Sequence, residues 1–183
     1  MFKYINGLLY PVEVSCPDPG FGQVMFEHYG GKDSEFSAAT QYMNHRNNMP
    51  NPYIRELLGM IAAEEHSHME MIAVSIHKLG GPPLCYVNSQ GVPWSLEYVN
   101  QSLDPLAMLQ ADAEAEIRAR RLYNLHFTMT CDPKLQKMIQ FLGSREDVHL
   151  HLFEKARILI LQGAPPDYFK KLITEYRMSF PTT

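Results

Sequence analysis

The segment Ile61-Ala-Ala-Glu-Glu-His-Ser-His-Met-Glu-Met-Ile72 sets charged and imidazole side chains inside an apolar helical pattern. Around it, apolar residues recur at steps of three and four, which predicts one long amphipathic helix from about Tyr53 to Leu79. Glu65 and His68 fall within the apolar stripe of that helix. Because residues three apart lie on one face of a helix, this carboxylate and this imidazole can be presented to a single metal ion.

Start and stop signals divide the rest of the chain. Proline and glycine are frequent in the N-terminal stretch and in the stretch after the long helix, which predicts that neither is helical. Asp104-Pro105 and Asp132-Pro133 each combine an N-cap residue with a following proline, which predicts a helix start. The expected elements are an extended arm over 1–20, a short helix over 21–29, a helix capped by Asp33 or Ser34 that reaches Arg46, the long helix over 53–79, a crossover loop over 80–104, helices over 105–129 and 133–162, and a short C-terminal helix over 167–176. Four main helices with one long crossover between the second and the third form the ferritin-like topology. The predicted fold class is all-α, a ferritin-like four-helix bundle in a single domain over 1–183.

A second Glu-x-x-His motif, from Glu146 to His149, lies in the last main helix. Glu35 stands thirty residues before Glu65, and Glu116 stands thirty residues before Glu146, so the same pattern occurs twice at an offset of 81 residues. In di-metal carboxylate bundles two helices contribute one Glu each, and the other two contribute Glu-x-x-His. Buried carboxylates are costly unless they are paired or bind a metal, and few cations are available on these helix faces. The repeated pattern predicts a di-metal site.

Oxygen and nitrogen donors without thiolates suit manganese or iron, and the spacing does not choose between them. Two such ions that each change by one electron suit two-electron chemistry on peroxide or dioxygen. Glu64 and Glu70 are expected to face solvent as ordinary helix-surface charges. The remaining histidines lack a matching carboxylate partner in the sequence and are expected to be surface or packing residues: His28, His45, His66, His77, His126 and His151.

The composition excludes several other classes of protein. With 45% hydrophobic and 20% charged residues, the chain is neither disordered nor collagen-like. A formal charge of −4 and the lack of a long Lys/Arg run argue against nucleic-acid binding. Three cysteines without a CxxC motif predict neither a disulfide framework nor a zinc ribbon, and they favour a reducing compartment. We expect synthesis in the cytoplasm without a signal peptide, and no membrane insertion.

The runs Tyr29-Gly-Gly-Lys-Asp-Ser-Glu35, Ala63-Glu-Glu-His-Ser-His-Met-Glu-Met-Ile72 and Arg145-Glu-Asp-Val-His149 resemble the manganese catalases. The resemblance is closest to their short spore-coat branch, the CotJC-like proteins, and it covers nearly the whole chain. It implies two manganese ions per subunit and the disproportionation of hydrogen peroxide to water and dioxygen. Among the matching positions, one ion would be held by Glu35 and His68 and the other by Glu116 and His149, with Glu65 bridging the two.

The same resemblance implies roles for residues around the ligands. Glu146 matches a position outside the ligand set that moves protons, although the spacing alone leaves open whether it is itself a ligand. Tyr42, seven residues after Glu35, matches a tyrosine behind the ligands. Ala115 stands where some of these enzymes carry an arginine near the metals.

The expected function is a di-manganese catalase-like enzyme deposited in the spore coat. Hydrogen peroxide is the expected substrate, and a hexamer-like homo-oligomer and other spore-coat proteins are the expected partners. One alternative is a structural spore-coat protein with a metal site of low activity. Another is a di-iron oxidase or peroxidase of the ferritin-like class.

Overall fold

Side-chain caps set the starts of the four long helices. Ser34 accepts a hydrogen bond from the backbone N–H of Ser37, and Asn51, Asp104 and Asp132 accept equivalent bonds in the first turns of the next three helices. The last three also begin with proline, whose missing N–H is not needed there. The computed structural model describes residues 7–180, and its helices are α1 (Pro19–Val24), α2 (Phe26–Gly30), α3 (Glu35–Asn48), α4 (Pro52–Leu79), α5 (Pro105–Met129), α6 (Pro133–Leu161) and α7 (Pro166–Met178).

The four long helices form two hairpins. Helix α3 packs mainly on α4 and helix α5 mainly on α6, and each pair is joined by a short turn, over 49–51 and 130–132. Helix α7 packs against both α4 and α6. Between residues 7 and 180 no β-strand forms, and the extended pairing there is a single bridge between Val87 and Pro93. The predicted all-α fold class is confirmed.

Two apolar clusters occupy the two ends of the bundle. One contains Leu57 and Leu58 of α4 with Leu152 of α6, and the other contains Ile72 of α4 with Leu142 of α6. The buried polar residues of both Glu-x-x-His motifs lie between these clusters along α4 and α6. Apolar packing above and below therefore encloses the polar layer.

The crossover loop over 80–104 is held against α3. Gly80 ends α4 with a φ of 76°, a left-handed conformation that favours glycine. Further along, the indole N–H of Trp94 donates to Ser37 Oγ at 3.0 Å, and the backbone N–H of Asn100 donates to Gln41 Oε1 at 2.8 Å. These bonds place the loop beside the helix that carries Glu35.

Two of the expected elements differ in detail. The predicted short helix over 21–29 is instead two helices. Helical structure is interrupted at Met25, which follows the last residue of α1 and precedes the first residue of α2. The arm is non-helical over 7–18, and α1 already begins at Pro19 because Asp18 caps it; residues 1–6 lie outside the described part. Among residues 7–180, no helix is both long and apolar enough to cross a membrane.

Candidate metal centre

Four helices each contribute a carboxylate to one buried polar layer. Glu35 comes from α3, Glu65 from α4, Glu116 from α5 and Glu146 from α6, and each is at most 3% exposed. The fully buried imidazoles of the two motifs lie among them. Two groups of donor atoms result, and within each group the atoms lie within 4.8 Å of one another: Glu35, Glu65, His68 and Glu146 in one, and Glu65, Glu116, Glu146 and His149 in the other.

Both imidazoles turn the same nitrogen toward the carboxylates. Nδ1 of His68 lies 3.0 Å from Glu65 Oε2 and 3.5 Å from Glu35 Oε2. Nδ1 of His149 lies 2.8 Å from Glu65 Oε1 and 3.5 Å from Glu116 Oε1. The two rings are nearly parallel, with centroids 5.9 Å apart. Glu65 therefore stands between the two imidazoles, with one oxygen atom toward each.

Several of these atoms are buried without a hydrogen-bond partner. Facing the donor groups, they are Glu65 Oε1, Glu116 Oε2, Glu146 Oε1 and His149 Nδ1; on the outer side, His68 Nε2 also lacks a partner. Buried polar atoms normally find partners, so a cluster of unsatisfied ones within a single layer needs an explanation. A cation coordinated by the atoms that face the donor groups would satisfy them, and the donor set of oxygen and nitrogen without sulfur fits manganese or iron.

The electrostatics of the layer also favour a cation. Burial raises the pKa of Glu35 and of Glu116 well above the ordinary value, and neighbouring carboxylates raise it further. Burial alone would lower the pKa of His68 and His149, but the facing Glu65 carboxylate raises the pKa of both well above the ordinary value. Without metal, protons offset the crowded negative charge, so metal binding must release protons.

Each of the two outer carboxylates is bonded by a tyrosine from the opposite hairpin. The hydroxyl of Tyr42 on α3 donates to Glu116 Oε1 at 2.7 Å, and the hydroxyl of Tyr123 on α5 donates to Glu35 Oε1. Both tyrosines are fully buried. Behind them, Tyr42 packs edge-on against Phe153, whereas Tyr123 stacks on the imidazole of His28.

Glu64 does not face solvent, so that expectation is wrong. It is 4% exposed, its Oε2 lies 3.0 Å from His149 Nε2, and its Oε1 lies 3.4 Å from His68 Nε2. Burial alone would raise the pKa of Glu64, but the two imidazoles facing it lower that pKa below its ordinary value. Glu70 is exposed, as expected.

Two further pairs of buried polar groups lie outside this layer. Nδ1 of His45 is 2.8 Å from Asp112 Oδ1, so this histidine has a carboxylate partner that the sequence pattern did not show. His28 and His126 are joined at 2.9 Å between Nε2 and Nδ1. Burial and the neighbouring imidazole lower the pKa of His28 well below its ordinary value.

Comparison with known proteins assigns the family. The family model described as manganese-containing catalase matches residues 1–83 and 80–175. The chain belongs to the manganese catalase family. It is 35% identical over 176 residues to Protein CotJC of Bacillus subtilis, covering 85% of this chain and 93% of that protein. It is 31% identical over 178 residues to a probable manganese catalase of Clostridium acetobutylicum, covering 85% and 79% respectively.

Solved structures agree with this family and fold. KatB, a manganese catalase from Anabaena, superposes with a TM-score of 0.83 at 29% identity, covering 89% of this chain and 81% of that one. A bacterioferritin from Rhodobacter capsulatus superposes with a TM-score of 0.68 at 20% identity, covering 86% and 94%. The second likeness supports the ferritin-like fold. The predicted resemblance to manganese catalases is thus confirmed.

Two residues of this polar layer were missed from the sequence. Tyr123 follows Glu116 by seven residues, as Tyr42 follows Glu35, so the same spacing could have found it. Glu64 carried no such signal, because both of its hydrogen-bond partners, Arg145 and His149, approach from α6, far away in the sequence.

A cavity of about 20 Å³ lies between α3 and α5, and its lining includes Ser34 and Ala115, the residues that precede Glu35 and Glu116. The lining also contains Ala38 of α3, Ala119 of α5 and Tyr98 of the crossover loop. A cavity of this size holds about one water-sized molecule. Alanine stands at position 115 in this lining, and the charged side chains in it are those of Lys32, Asp33 and Arg118.

Proposed function

We propose that the chain is a di-manganese catalase that converts two molecules of hydrogen peroxide into two of water and one of dioxygen. The observation that carries this proposal is the pair of buried donor groups that share Glu65 and Glu146. Family membership supports manganese as the metal and peroxide as the substrate. The nearby cavity of about 20 Å³ suits a substrate only slightly larger than water.

The donor atoms divide between two ions. Glu35 and His68 would hold one ion, Glu116 and His149 would hold the other, and Glu65, which belongs to both groups, would serve both. When bound, the two ions supply the two-electron exchange with peroxide, one electron each. In both histidines Nδ1 is the nitrogen that faces the carboxylates, so this atom of the neutral imidazole would serve as the ligand.

Glu146 is the group that moves protons in this proposal. Glu146 belongs to both donor groups, so it lies within the donor layer and not behind it. Its Oε1 is buried without a hydrogen-bond partner, 3.4 Å from Nδ1 of His68. A carboxylate at that place can accept a proton from peroxide and return it to the departing oxygen.

Tyr42 and Tyr123 orient the two outer ligands. Each hydroxyl donates to one oxygen of a glutamate and leaves the other oxygen free for the metal. Because each tyrosine comes from the hairpin opposite its glutamate, the two hairpins must be docked before either ligand is fixed.

Metal analysis combined with oxygen evolution tests the proposal. We expect about two manganese ions per chain and prompt oxygen release from peroxide. Glu65→Gln removes the shared charge and should abolish both metal retention and oxygen release. Glu70→Gln, on the exposed face of the same helix, is the matched control and should retain both.

The remaining outcomes separate the alternatives. Two iron ions with little oxygen release would favour a di-iron oxidase or peroxidase. Little metal and no activity in protein produced with ample manganese would favour a structural role.

The similarity to Protein CotJC, which extends over 93% of that protein, supports a place in the spore coat beside other coat proteins. Exposed apolar side chains, among them Leu103, Leu161 and Met178, support a homo-oligomer, for which a hexamer-like assembly is the family expectation. Fractionation of spores with an antibody against the chain tests the location, and light scattering in solution tests the assembly.

A further inference from the structure

Both candidate ligand imidazoles share one acceptor on their outer side. Nε2 of His149 is hydrogen-bonded to Glu64 Oε2 at 3.0 Å. Nε2 of His68 lies 3.4 Å from Glu64 Oε1, an ion-pair contact without a hydrogen bond. An imidazole that binds metal through Nδ1 carries its proton on Nε2, and an acceptor at that proton fixes both the tautomer and the ring orientation. One buried carboxylate can therefore orient both imidazoles.

Glu64 is itself held by an arginine from α6. Nε of Arg145 donates to Glu64 Oε1 at 2.6 Å, and Nη2 lies 3.4 Å from Oε2. The side chains of both residues are at most 3% exposed. A buried charge keeps its place only while its partner is present, so the position of the carboxylate depends on the guanidinium.

The two residues that follow α7, Ser179 and Phe180, contact the other side of the Arg145 guanidinium. Nη1 donates to the backbone oxygen of Ser179 at 2.9 Å, and Nη2 donates to Ser179 Oγ at 3.0 Å. The ring of Phe180 covers the guanidinium, 4.3 Å from its carbon to the ring centroid, and stands edge-on to Tyr176. Without Ser179 and Phe180, Arg145 would lose two hydrogen bonds and the aromatic ring that packs on its guanidinium.

We propose that Ser179 and Phe180 act through Arg145 and Glu64 as a positioning clamp on both histidine ligands. This inference rests on the proposed metal site. Because Glu64 contacts both imidazoles, releasing the clamp affects both metal positions together.

Manganese release tests the clamp. Wild-type protein loaded with Mn²⁺ is mixed with excess chelator, and the rate of metal transfer is followed at a fixed pH. A chain ending at Met178 should release manganese several-fold faster. Glu64→Gln should release it about 10- to 100-fold faster, the usual effect of losing an outer partner of a ligand. Arg145→Lys keeps the charge but not the bonds to Ser179, and it should resemble the shortened chain.

The matched control is Glu56→Gln. Glu56 lies on α4 and pairs at the surface with Arg177 of α7 at 3.2 Å, so its loss weakens an α4–α7 contact without touching the clamp. It should release manganese at the wild-type rate. The Mn²⁺ paramagnetic resonance spectrum, recorded on the same samples, should change in the clamp variants and stay unchanged in the control.

Each result has a distinct meaning. If wild-type protein takes up no manganese, the proposed function fails and the clamp fails with it. If wild-type protein holds two ions and the shortened chain and Arg145→Lys release them at the wild-type rate with an unchanged spectrum, the clamp alone is overturned. Should Glu64→Gln not fold, the shortened chain decides, because it removes no buried charge.

Discussion

Tyr123 donates a hydrogen bond to Glu35 from the opposite hairpin, as Tyr42 does to Glu116. Tyr123→Phe keeps the ring but leaves a buried oxygen of Glu35 without its donor. We expect metal-free protein to lose about 1–3 kcal/mol of unfolding free energy, measured by urea denaturation. Tyr42→Phe should cost a similar amount, and Tyr53→Phe, at a half-buried position near the start of α4, should cost less. Equal stability for all three variants would contradict the structural role of the two hydroxyls.

Filling the gap between α3 and α5 should slow substrate entry. Ala119 lines the cavity of about 20 Å³, which a leucine at this position would occupy. With manganese content unchanged, we expect Ala119→Leu to lower kcat/KM for peroxide several-fold, measured by initial rates of oxygen release. Thr128→Leu, exposed on the same helix, serves as the control. If the two variants matched the wild type, peroxide would have to enter by another route.

Manganese should stabilise the fold. A ligand that binds only the folded chain adds RT ln(1 + [L]/Kd), about 2.7 kcal/mol at one hundred times Kd. For a chain of this size we expect a rise in Tm of roughly 5–10 °C, reversed by a chelator, in a calorimetric or circular dichroism melt. Glu65→Gln should melt at the same temperature with and without manganese; a shift equal to that of wild-type protein would show that the ion binds elsewhere.

The buried His28–His126 pair should make the protein less stable in mild acid. Burial lowers the pKa of both imidazoles in the folded chain, whereas in the unfolded chain they titrate near 6.5. As the pH falls below 6.5, the unfolded state takes up more protons, so stability decreases until the pH drops past the folded pKa values. The loss reaches about 1.4 kcal/mol per pH unit for each such histidine.

His28→Gln isolates this contribution. The unfolding free energies of wild type and variant are compared by urea denaturation at pH 7.5, 6.5 and 5.5. The difference between them should become smaller below pH 6.5, because the variant lacks the buried imidazole that makes the wild type less stable in acid. His45 contributes a pH dependence of stability with the opposite sign, because its bond to Asp112 raises its pKa despite burial. This contribution is the same in both proteins, so it does not affect the difference between them. A constant difference across the three pH values would contradict the prediction.

The helices and the metal-binding motifs were predictable because they depend on local signals. Caps and prolines mark the helix starts, and the start of α6 at Pro133 follows directly from Asp132. The break at Met25 was missed because no glycine or proline marks it. Glu64 was misplaced for a different reason. Helical periodicity sets the direction of its side chain only approximately. In addition, the buried charge of Glu64 is compensated by Arg145, which comes close to it only in the folded chain.

The pairing of Glu64 with Arg145 has a consequence for how the two hairpins relate. The residues are 81 positions apart, the same offset that relates Glu35 to Glu116, Tyr42 to Tyr123 and His68 to His149. They therefore occupy equivalent positions in the two halves and meet near the axis that relates them. A single hairpin used twice would bring identical charges together at that point, at a large cost in a buried place. Because the two halves belong to one chain, their sequences can differ, and the two equivalent positions form an acid–base pair where the hairpins meet.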